Sequence, residues 1–69
     1  MKKQLTKYII SHKSDPSFLE KVIYEGHENY RWILTDKIEL AYLGTEGHMR
    51  NLLTNSDFEI KQIKITYEF

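Results

Sequence analysis

The sequence predicts one small α+β domain whose elements run in the order β-α-β-β-α-β. Three observations predict it. Sixty-nine residues leave room for a single domain spanning 1–69. An apolar content of 41%, including nine aromatics, is too high for a disordered chain. The spacing of the apolar residues also switches along the chain between the period of a strand and that of a helix.

The first strand is read at 5–12, LTKYIISH, which is β-branched and aromatic-rich. A helix is expected next. Asp15 can cap it, Pro16 suits its first position, and Phe18, Leu19, Val22 and Ile23 fall on one helical stripe before the stop at Gly26. Residues 30–35 and 38–43 read as a hairpin around Asp36-Lys37, in preference to a rival helix that Asp36 with Glu39 would cap and Gly44 would stop. Within the hairpin, a loop of Thr35 to Lys37 sets Leu34 opposite Ile38 and Trp32 opposite Leu40, which places all four in the core. Arg31, Ile33, Ala41, Lys64 and Thr66 are then expected on the opposite sheet face.

A second helix is expected from Thr45 to Asn55, capped by Thr45, with Met49, Leu52 and Leu53 on one face and Gly47 weakening its first turn. The last strand alternates Phe58, Ile60, then Ile63, Ile65, Tyr67 and Phe69. Its slip in parity at Lys61-Gln62 is the sequence mark of a β-bulge. This order corresponds to the ferredoxin-like two-layer sandwich, a four-stranded antiparallel sheet with two helices on one face. That arrangement hosts many activities and identifies none. The tripeptide Glu-Gly-His occurs at both 25–27 and 46–48, but its flanks do not match, so the chain contains no repeat.

Composition excludes several classes. Without cysteine there are no disulfides, and the best zinc ligand is missing. Apolar runs are too short for a membrane span, and the N-terminus lacks the apolar stretch and cleavage site of a signal peptide, so a soluble cytoplasmic protein is expected. Net charge is zero, but residues 1–13 carry Lys2, Lys3, Lys7 and Lys13 without an acid, while 14–28 carry Asp15, Glu20, Glu25 and Glu28 against Lys21.

Catalytic groupings are weak. Ser11-His12 and Ser14-Asp15 put a hydroxyl, an imidazole and a carboxylate close in sequence, but neighbours on a strand point to opposite faces. Among the histidines His12, His27 and His48, no pair has metal-binding spacing; with Glu25 and Glu46, His27 and His48 would be the candidates if folding joined them. The Gly44 to Gly47 loop could cradle a phosphate only against the charge of Glu46. No cofactor is expected. Tyr30, Trp32 and Tyr42 could stack nucleic-acid bases, yet large aromatics more often build a small core.

By elimination the sequence points to a non-catalytic protein-binding module. Small, motif-free proteins of this kind are frequent among phage and mobile-element products that inhibit or redirect a host protein. Exposed aromatics and arginines dominate interface energetics, so Tyr24, Arg31, Arg50 and the terminal Phe69 are the expected partner-binding residues. The alternative is a small nucleic-acid-binding accessory protein that uses Lys2, Lys3, Lys7 and Lys13. Homodimerisation is a further expectation, through the sheet face that carries Ile33 and Ala41.

Overall fold

The computed structural model describes residues 1–26 and 29–68. Four strands, β1 (Lys2–His12), β2 (Phe18–Tyr24), β3 (Tyr30–Thr35) and β4 (Phe58–Glu68), form one sheet in the order β3-β2-β1-β4. All its pairings are antiparallel. A single seven-residue helix, α1 (Glu46–Leu52), and a 3₁₀ turn at Ile38–Leu40 complete the described elements. The ferredoxin-like expectation is therefore wrong: one helix, rather than two, covers the sheet.

The first expected helix is strand β2, and the error has a physical cause. A bulge interrupts the β2–β3 ladder between Leu19 and Lys21. It shifts the strand's parity, so Leu19 and Val22, three residues apart, pack into the same cluster. In sequence that spacing imitates a helical stripe. The start signal misleads for a related reason. His12 Nδ1 accepts hydrogen bonds from the backbone N–H groups of Ser14 and Asp15, each at 3.1 Å. The His12 N–H itself donates to the Ser17 carbonyl at 2.8 Å. Ser14, Asp15 and Pro16 thus form the tip of a hairpin.

The expected bulge in the last strand is absent. β4 pairs with β1 without interruption from Lys2↔Glu68 to His12↔Phe58. With parity preserved, Phe58 and Ile60 point to the face that α1 covers, called here the inner face. Ile63, Ile65 and Tyr67 point to the outer face.

The hairpin expected at 30–43 is only half present. Its first arm is β3, but the chain then turns through Ile38–Leu40, where the Leu40 N–H bonds the Lys37 carbonyl at 3.0 Å. Ile38, Leu40 and Leu34 are about half exposed, and only Trp32 of the four expected core residues packs against the core. Segment 41–44 instead fills a gap. β1 and β2 are registered only at Ser11↔Phe18. Beyond that pair, the Tyr42 N–H bonds the Leu19 carbonyl of β2 at 2.8 Å, and Gly44 exchanges two bonds with Tyr8 of β1.

The core is Ile10, Leu19, Met49 and Phe58, flanked by Val22, Trp32, Tyr42 and Leu53 among others. The second expected helix forms but is shorter than expected, ending at Leu52 with Leu53 as its cap rather than reaching Asn55. Thr45 caps it by accepting the His48 N–H at 3.2 Å, and Met49 is fully buried. A helix this short does not persist in water alone, so the Met49 contact holds it to the sheet. Gly44 allows this approach, because a Cβ there would lie 2.7 Å from Met49 Cε.

Candidate partner-binding surface

One short helix leaves much of the inner face open, and the aromatic side chains collect there. Tyr24 ends β2 and Tyr30 begins β3; they pair directly across the ladder with ring centroids 6.1 Å apart. Trp32, two residues along β3, opposes Val22 and meets Phe58 edge-on at 5.3 Å. Phe58 in turn stacks edge-on with His12 at 4.9 Å. A graded series results. Phe58 is buried, Trp32 is half-buried, and Tyr24 and Tyr30 are 74% and 47% exposed. Leu34 continues the row at 45% exposure. An open groove lined by Tyr30, Trp32, Leu34, Thr54, Asn55 and Phe58 runs between β3 and the segment after α1.

The expected site residues divide. Tyr24 is on this surface and borders a second hollow with Tyr42 and His48. Arg31 is on the opposite face of β3 but stays at the same edge of the sheet, where its Nε pairs with Glu25 at 3.3 Å. Arg50 is remote from both. It projects from α1, is bound to Glu46 at 2.8 Å, and lines an open groove with Lys13 and Phe58. Phe69, His27 and Glu28 lie outside the described residues. Tyr30 and Leu34, the other groove-edge residues, are core residues in the sequence reading. The signal that could have found them is the edge position of β3, which leaves one flank of each side chain without a neighbour.

The lysines of the alternative reading also divide. Lys2, Lys3 and Lys7 lie on the long β1–β4 ribbon, joined there by Lys61 and Lys64, with Glu59 and Glu68 the acids of the two strands. Lys13 sits apart, in the β1–β2 turn. Of the ribbon lysines, only Lys61 meets a carboxylate among the described residues, Glu59 at 3.7 Å.

The expected outer-face spot does not form. Ala41 is buried in the connection, and Lys64 and Thr66 share the inner-face parity of Phe58, so only Arg31 and Ile33 keep their expected side. Ser11 is buried, with its hydroxyl donating to the His12 carbonyl at 3.2 Å, and His12 points to the other face. His48 Nε2 meets the Tyr42 hydroxyl at 3.1 Å. Among the described residues, no three His, Cys, Asp or Glu side chains gather as a metal site. No helix there is long and apolar enough to cross a membrane.

Compared with known proteins, the chain matches no family model, no curated protein and no solved structure.

Proposed function

We propose that the protein is a non-catalytic binding module that docks a protein partner on the aromatic inner face of β2 and β3. The observation that carries this reading is the graded row Phe58, Trp32, Tyr30 and Tyr24, beside Leu34, which opens into a groove at the sheet edge. Tyr and Trp dominate interface energetics because each buries a large area at little entropic cost and keeps a polar tip for hydrogen bonding. The Arg31–Glu25 pair supplies a charged rim to this apolar centre. Because the groove is open, and its rings and Leu34 sit beside the polar Thr54 and Asn55, a partner side chain with an apolar body and a polar tip fits it better than a small ligand needing enclosure.

The ribbon lysines favour a second reading, an anionic nucleic acid held along β1 and β4. Salt separates the two. Neutralising four or five phosphates would make affinity fall steeply with ionic strength, whereas an aromatic protein interface responds weakly. The deciding experiment captures the partner from the native host, identifies it, and measures its binding to Tyr24→Ala, Tyr30→Ala and Leu34→Asp. The proposal requires at least one of these to weaken binding tenfold or more with an unchanged unfolding midpoint. Full affinity in all three would overturn the site. Weakening by Lys2→Ala/Lys3→Ala/Lys64→Ala instead would transfer it to the ribbon.

A further inference from the structure

β1 and β2 are registered only at Ser11↔Phe18, and the 41–44 crossing reaches β2 at Leu19. Beyond that point β2 opens onto a hollow of about 330 Å³, lined by Lys21, Val22 and Tyr24 with Tyr42 of the crossing and His48 and Leu52 of α1. That volume lies at the low end of the range of roughly 300–1,000 Å³ that small ligands occupy. Val22, Tyr42 and Leu52 are half-buried against the core and make its floor, while Lys21, Tyr24 and His48 are exposed and make its rim. Charge sets this hollow apart. Its lining holds one ammonium and no carboxylate, and Lys21 meets no carboxylate among the described residues. The groove beside Lys13 and Arg50 also holds Glu46 and Glu59, and the groove beside β3 holds no charged group. The Tyr42–His48 pair, 3.1 Å apart, adds a donor. If the Tyr42 hydroxyl donates to Nε2, the neutral imidazole keeps its Nδ1–H; if Nε2–H donates, the hydroxyl keeps its own proton. Either tautomer leaves one donor free among the described residues.

We infer that this hollow binds a small organic anion, a carboxylate carried on a flat apolar ring system. The rings lie on Val22 and Leu52 between the Tyr24 and Tyr42 phenols, and the carboxylate accepts from the Lys21 ammonium and from the free donor of the Tyr42–His48 pair. Neither half of the ligand suffices alone. An exposed ammonium holds a bare carboxylate weakly, because water and salt compete for both charges. An uncharged ring system gains only from the apolar area that it buries in a hollow open on one side. This goes beyond the partner proposal, since it needs no protein partner and shares only Tyr24 with the docking row. Each proposal can fail while the other stands.

The probe is naphthalene-2-carboxylate, titrated into the isolated protein and followed by amide NMR shifts and calorimetry. The largest shifts should fall at Lys21–Tyr24 and at Tyr42, His48 and Leu52. Naphthalene-2-carboxamide keeps the rings without the charge, and acetate keeps the charge without the rings. Each should bind at least about tenfold more weakly than the probe, because one half of the recognition is missing. Lys21→Met keeps the apolar stem and removes the ammonium, so it should weaken the carboxylate about tenfold and leave the carboxamide unchanged. Lys13→Met removes an equal charge from the other groove and should change neither. Both lysines are exposed, so their substitution does not threaten the fold. No binding at millimolar probe, equal affinity for carboxylate and carboxamide, equal losses from Lys21→Met and Lys13→Met, or largest shifts along Tyr30–Leu34 would each overturn the inference.

Discussion

Gly44 and Met49 form a coupled pair whose energetics can be worked from the structure. Met49 is 0% exposed and is the contact that anchors α1. Truncating a buried methionine to alanine costs about 2–5 kcal/mol. Domains have net stabilities of roughly 0.05–0.15 kcal/mol per residue, about 3–10 kcal/mol at this length, so Met49→Ala removes a large part of the total. Gly44→Ala acts from the other side. Its backbone has no positive φ, so the cost is steric: the new methyl would sit 2.7 Å from Met49 Cε and 3.4 Å from His48 Cδ2. The near atom is the end of a flexible side chain, which can yield in part, so the overpacking costs about 1 kcal/mol, the low end of the usual range. In the double variant the methyl introduced at position 44 occupies space that the Met49 side chain vacates. The combined loss should therefore fall short of the sum by at least about 1 kcal/mol. Urea unfolding of the four proteins, followed by far-ultraviolet circular dichroism and Trp32 emission, measures the cycle. Additivity within about 0.5 kcal/mol would refute the packing of α1 on the 41–44 crossing.

Two further substitutions test local features. Gly26 has φ +89° with open space around its Cα, so Gly26→Ala should cost about 1–2 kcal/mol from conformation alone and Gly26→Asn less, compared by unfolding midpoints. Arg31→Ala and Arg50→Ala break exposed ion pairs with Glu25 and Glu46, and each should change stability by less than about 1 kcal/mol in a urea titration.

The sequence carries the elements that rest on strong local chemistry. The strand ending at His12, the strand at 30–35, the Thr45-capped helix around Met49 and the last strand all lie where their side-chain patterns put them. What it hides are the two places where parity changes. In β2 a bulge makes a strand look helical. In β4 an unbroken strand carries its apolar residues first on one face and then on the other, which imitates a bulge. Both readings assume that each strand buries one face along its whole length. A ribbon that extends past the core breaks that assumption, because beyond Tyr8 and Ile60 no helix lies over the inner face to reward apolar residues there. The 41–44 crossing is illegible for a related reason. Its bonds go to Leu19 and Tyr8, partners distant in sequence, and no local pattern announces them. Among the site residues, Tyr24 is legible as an exposed aromatic. Tyr30 and Leu34 are not, since alternation shows which face a side chain takes but not whether another layer covers it.

Trp32 is the single tryptophan of the chain and lines the groove proposed as the docking site, so in the folded protein its emission reports on that groove and on the core beside it. The most direct test is to titrate the protein with its captured, tryptophan-free or tryptophan-masked partner and follow Trp32 emission and acrylamide quenching. Docking on the aromatic face predicts a blue shift and a severalfold loss of quenching at saturation, as the groove is closed to water. Full binding with unchanged emission and unchanged quenching would contradict it.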